Sequence, residues 1–154
     1  MDQTHFHKLI CSSVDSNYKV GSNDTIGGLQ GAGGVDLNAN TLTVNIAASD
    51  GSTTLSGVIA GSGSSSSLTK SGSGTLKLSS SNTYEGGTSV SAGVLEISNA
   101  SALGATTRGS ASSGTSVDQG AALNIVGGSS TDDFLLAEQL ALGSSSGSGE
   151  ATIQ

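Results

Sequence analysis

Aliphatic residues in this chain return at every second position in short runs. TLTVNI (41–46), TLKL (75–78), VLEI (94–97) and ALNI (122–125) all alternate. Thr, Lys, Glu or Asn stands between the aliphatic residues. A period of two is that of a β-strand with one buried face and one wet face. Leu42, Val44 and Ile46 then share a face, as do Leu76 with Leu78, Leu95 with Ile97, and Leu123 with Ile125. Val35 and Leu37 do the same in GAGGVDL (31–37). Helical periodicity has one candidate, TDDFLLAEQLALG (131–143), with Thr131 as cap, Asp132 and Asp133 in a first turn and Gly143 as stop. LLAEQLAL also reads as two short strands around a polar turn.

The strands recur. Glycine precedes an aliphatic pair in GAGGVDL, GSGTLKL (72–78) and SAGVLEI (91–97), and QGAALNI (119–125) is a looser copy. The aliphatic position steps from Leu37 to Leu55, Leu76 and Leu95 at intervals of 18, 21 and 19 residues, and then 28 to Leu123. Repetition near twenty residues marks a solenoid. With β alternation and little helix, that solenoid is a parallel β-helix of about six coils, at roughly 20 residues per coil. Each coil stacks on its neighbour about 4.8 Å away, and no coil is stable alone.

Composition would suggest something else. The 154 residues include 24 Gly and 31 Ser, with two Phe and two Tyr as the only aromatics. Such Gly/Ser content ordinarily marks disorder, and an unfolded Gly/Ser linker is one alternative reading. Proline is absent, however, and the aliphatic residues are ordered along the chain. A thin coil explains the rest: small aliphatic side chains fill its core, glycines make its corners, and bulky rings have no room.

Residues 68–104 carry a resemblance. Leu68–Thr69–Lys70 is followed by Gly72–Ser73–Gly74–Thr75–Leu76–Lys77–Leu78, then Asn82–Thr83–Tyr84–Glu85–Gly86–Gly87–Thr88. Gly93–Val94–Leu95, Ile97 and Ala102–Leu103–Gly104 complete the set. This pattern resembles the autotransporter-associated β-strand repeat of bacterial autotransporter passenger domains. Looser similarity extends over residues 21–154, and residues 1–20 share none. The resemblance implies an all-β, single-stranded right-handed β-helix, a piece of a cell-surface or secreted passenger. It also implies a signal peptide before the passenger and an outer-membrane β-barrel after it. Neither is recognised in this sequence: MDQTHFHKLI lacks a basic start followed by an apolar run of roughly 7–15 residues.

Composition shifts in residues 1–20, a leader that holds both histidines and the single cysteine. His5, His7 and Cys11 sketch a metal site but lack a fourth ligand, so no metal is expected. With both histidines there, the serines of the body have no base for a Ser-His-Asp triad. Glu85, Glu96, Asp118, Asp132, Asp133 and Glu138 are scattered rather than clustered. GAGGVDL does not repeat as a calcium nonapeptide would. GGLQGAGG lacks the Lys-Ser/Thr of a phosphate loop. No cofactor and no enzymatic activity are expected; a carbohydrate-active or carbohydrate-binding β-helix is the alternative. Tyr84 has two readings: a ring closing a coil corner over the core, or a stacking platform for a sugar.

A net charge of −7 disfavours nucleic acid and anionic membranes as partners. The expected role is a non-enzymatic stalk or adhesin segment. Its partners would be host or matrix surfaces, glycans, or further copies of itself stacked end to end.

Overall fold

The computed structural model describes residues 7–11, 17–104 and 114–127, and the backbone of 140–142 and 152–153. Its strands are β1 (Lys8–Cys11), β2 (Asn17–Lys19), β3 (Asp24–Ile26), β4 (Gly28–Gly31), β5 (Gly34–Asp36) and β6 (Thr41–Asn45). They continue as β7 (Ser52–Leu55), β8 (Ile59–Ala60), β9 (Ser67–Ser71), β10 (Thr75–Leu78), β11 (Thr88–Val90) and β12 (Val94–Ile97). The last four are β13 (Thr115–Val117), β14 (Ala122–Ile125), β15 (Leu140–Leu142) and β16 (Thr152–Ile153). No α-helix occurs among the described residues; one 3₁₀ turn spans Ala48–Asp50.

All pairings between these strands are parallel, and each joins one coil to the next. The order β1-β4-β7-β10-β12-β14-β16 forms the first side, β3-β6-β9-β11-β13-β15 the second, and β2-β5-β8 a short third. The chain is therefore an all-β parallel solenoid. Residues 17–104 make about four continuous turns, and the second side counts six rungs over all the described strands. Strands β13, β15 and β16 are each entered from segments outside the described residues.

The alternating aliphatic residues make the core. Leu42, Val44, Ile46, Leu76, Leu95 and Leu123 are completely buried. In-register pairs stack them: Leu42 on Leu68, Leu76 on Leu95 on Leu123, and Leu78 on Ile97 on Ile125. A leucine fully buried in this way contributes about 1.5–3 kcal/mol, so the column offsets the scarcity of aromatics. Gly72 and Gly93 turn the corner before β10 and β12 at φ of 71° and 69°. A side chain at either would overlap a backbone oxygen of the coil before, Ile46 O or Gly72 O.

Three expectations need correction. Leu37 is not in the column of Leu55: it follows β5 on the third side, while Leu55 faces Gly31 and Leu78. Spacing near twenty cannot tell which of three sides a residue occupies. Residues 140–142 form a strand paired with β13, and 131–139 of the helix candidate lie outside the described residues. The unfolded-linker reading gives way to paired strands. The change in composition near residue 20 falls between β2 and β3, within the first coil, with β1 and β2 paired to β4 and β5.

Candidate functional site

The repeat positions converge on two consecutive coils. Leu68, Leu76, Leu78, Leu95, Ile97 and Leu103 point inward and are buried. Gly74 is buried between coils: its N–H donates to Ile46 O (2.8 Å), and its carbonyl accepts from Val94 N–H (3.2 Å). Gly86 N–H donates to Ser66 O (3.1 Å), and Gly87 O accepts from Leu68 N–H (3.1 Å).

Lys70 is the least expected member, with no exposed surface at all. It takes an inward register position between Val44 and Val90. Its ammonium bends to the corner, where Nζ donates to the carbonyls of Ser71 (2.7 Å), Gly72 (2.8 Å) and Ala92 (3.2 Å). Three donors meet three acceptors. Burial lowers its pKa to about 8. The alternation Leu68–Thr69–Lys70 already puts Lys70 on the face of Leu68, and that was the signal available in the sequence.

Asn82 and Tyr84 replace the third side where the ladder β2-β5-β8 stops. Asn82 is buried; its Oδ1 accepts from Ile59 N–H of the coil before (2.8 Å), and its Nδ2 donates to Ala102 O of the coil after. Backbone bonds support it, Asn82 N–H to Ser101 O (2.9 Å) and Thr83 N–H to Ile59 O (2.9 Å). Tyr84 is wholly buried, its hydroxyl bonded to Thr88 Oγ1, which also reaches Leu103 O at 3.4 Å. Gly104, at φ 96°, lies against the ring: an added Cβ would come within 2.9 Å of Tyr84 Cε2. With no ring surface exposed, the sugar-stacking reading of Tyr84 does not hold in this coil.

Away from these buried repeat positions the surface is mild. Lys77 and Glu96, in register on neighbouring coils, form an ion pair at 2.9 Å, and Asn124 Nδ2 donates to Glu96 Oε2 at 3.1 Å. An exposed pair of this kind is worth about 0–1 kcal/mol. A recess of about 460 Å³ over the third side is lined by Asn17, Gly34, Asp36, Ser56, Val58 and Ala60, among others. Among the described residues no three His, Cys, Asp or Glu side chains gather where they could hold a metal. Cys11 is buried, which pushes its thiol pKa up, whereas His7 is exposed. His5, Asp132, Asp133 and Glu138 lie outside the described residues. Among the described residues, no helix is long and apolar enough to cross a membrane.

Lys70, Asn82 and Tyr84, which hold corners of this parallel solenoid, lie within a repeat known from autotransporter passengers. The chain carries such a repeat: residues 68–97 match the passenger-associated-transport-repeat. Over 128 residues, 79% of this chain, the sequence is 34% identical to the Adhesin BmaC autotransporter of Brucella suis biovar 1 (strain 1330). The chain spans 4% of that relative's length. No solved structure matches it.

Proposed function

We propose that the chain is a rigid, non-enzymatic segment of an adhesin passenger, exposed at a bacterial cell surface or secreted, that spaces or presents an adhesive face. The observation behind this reading is the coincidence of repeat and core: the residues that carry the family pattern are those that lock coil to coil. Their chemistry is spent on holding a shape. The similarity to a protein named as an adhesin supports the same reading.

Adhesion of coated beads tests it. Beads carrying the folded chain should adhere to host-cell monolayers or matrix glycans several-fold better than beads carrying heat-unfolded chain. The same protein should release no reducing sugar from polysaccharides. Equal adhesion by the unfolded chain would sink the adhesive reading, and sugar release would sink the non-enzymatic one.

A further inference from the structure

We propose that the recess over the third side is a sugar-binding subsite, one that takes a neutral pyranose through two adjacent hydroxyls. The inference rests on the adhesive reading above for its role, and it names the ligand class of that face. The recess, about 460 Å³, is lined wholly by described residues. Small-molecule sites usually enclose about 300–1,000 Å³.

Its shape follows from register. On the outer face of β2, β5 and β8, Asn17 stands opposite Gly34, and Lys19 opposite Asp36 opposite Ala60. Val58 continues the first of these columns, one residue before the inward Ile59. Gly34 is therefore a missing side chain with others around it. Asn17 and Val58 stand on the neighbouring coils, about 4.8 Å away, and Asp36 about 6.6 Å along the strand. Gly34 does not have a positive φ, so glycine is needed here for space. A Cβ at this position would overlap Asn17 Oδ1, so the amide oxygen lies close over the floor of the recess.

The groups around this hollow suit the edge of a sugar. Asp36 Oδ1 accepts from Asn38 N–H (3.0 Å), which fixes the carboxylate and leaves Oδ2 with no described partner. The Asn17 side chain bonds to no other described residue and keeps its donors and its acceptor. Of two adjacent hydroxyls, one can donate to Asp36 while the other accepts from Asn17. Val58, at 43% exposure, and Ala60 offer an apolar wall to the C–H face of the ring. Charge narrows the ligand further. Asp36 repels an anion, and Lys19, in register beside it, repels a cation. A lone carboxylate is too little for a metal, and no three His, Cys, Asp or Glu gather among the described residues. A neutral ligand rich in hydroxyls meets neither objection.

Amide NMR titration of the whole isotope-labelled chain with methyl α-mannoside and methyl β-galactoside tests this. Both carry adjacent cis hydroxyls. Saturable shifts should centre on Asn17, Gly34, Asp36 and Val58, with Kd on the order of 1–10 mM. The per-O-methylated glycosides keep the ring, lose the donors and should shift nothing. Asp36→Asn can keep the bond from Asn38 N–H but replaces the second acceptor by a donor, and should weaken binding about tenfold. Ala60→Leu fills the recess from an outward position and should abolish binding. Both variants should melt close to wild type. A titration without saturable shifts, shifts that centre elsewhere, or undiminished binding by the folded variants overturns the proposal. Should one variant fail to fold, the other decides alone. Coated beads separate this outcome from the adhesive reading. Wild-type beads that adhere while the titration is flat overturn the subsite and leave that reading standing. Beads that fail to adhere while the shifts map to the recess do the reverse.

Discussion

The third side of the solenoid is built in two ways. In the first three coils it is a strand ladder, Tyr18 opposite Val35 opposite Ile59, held by backbone groups. In the repeat, residues 80–84 form no strand, and the N–H that Ile59 directs to the next coil is met by the side-chain oxygen of Asn82. A backbone ladder accepts many side chains, because amide and carbonyl are common to all residues but proline. A side chain acting as a rung must have one shape and both a donor and an acceptor. That difference explains why Asn82 and Tyr84 belong to a recognisable pattern, whereas Asn17 and Tyr18 on the same side of an earlier coil do not.

The largest expected effect tests this contrast with one residue type at two places. Tyr84→Ala removes a wholly buried ring and should cost about 3–5 kcal/mol in urea denaturation. Tyr18→Ala removes a ring that is only half-buried and should cost about 1–2 kcal/mol. Equal losses would break the comparison. Asn82→Ala leaves Ile59 N–H and Ala102 O without their partner, both in a buried setting, and should cost about 3 kcal/mol. Asn17→Ala, at an exposed position, should stay within about 0.5 kcal/mol of wild type.

The same contrast decides what could be read from the sequence. β6, β10, β12 and β14 are legible because four or five alternating residues suffice to show a period of two. The third-side strands have two or three residues, too short to show any period, so Leu37 was assigned to the wrong column. β1 hides its alternation because Ile10, an aliphatic residue, sits on the exposed side at 58% exposure. The importance of Asn82 and Tyr84 was visible through the family pattern. Their bonds were not: the side-chain partners of Asn82 lie on the neighbouring coils, about twenty residues away in either direction, and the Tyr84 hydroxyl meets Thr88 inside the core. Lys70 and Thr53 were legible by alternation and are exceptions to its chemical half: position fixes the inward face, yet the residue is polar.

Lys70 sharpens the comparison through pH. Its pKa falls from the ordinary 10.5 to about 8 on folding, because burial opposes the charge. Between these values the unfolded chain binds more protons than the folded one, so stability rises with pH across that window. Below about pH 8 both states are charged and the full cost is present; above about 10.5 both are neutral and the gain is complete. The gain is on the order of 3 kcal/mol, from the separation of the two pKa values. Cys11 and Tyr18 work against it: burial raises the first, and the hydrogen bond to Asp24 with burial raises the second, so both lose stability as they ionise. Comparing wild type with Lys70→Met by urea denaturation from pH 7 to 10.5 removes their contribution. The difference should swing towards wild type as pH rises, and a flat difference would show that Lys70 folds at its ordinary pKa.

The smallest effect compares two buried threonines under one substitution. Thr53 stands opposite Leu76 on the first side, and its Oγ1 has no hydrogen-bond partner. Thr88, in the repeat, bonds both Tyr84 Oη and Leu103 O. Valine keeps the shape of threonine and deletes the hydroxyl. At position 53 nothing is lost and an unmet polar atom is relieved, so Thr53→Val should stabilise by about 1 kcal/mol. At position 88 the bonds to Tyr84 Oη and Leu103 O are lost inside the core, and Thr88→Val should destabilise by about 1–2 kcal/mol. Opposite signs are the expected result in thermal melts of the two variants. The same sign for both would mean that the repeat's polar side chains are carried by the coil and do not hold it together.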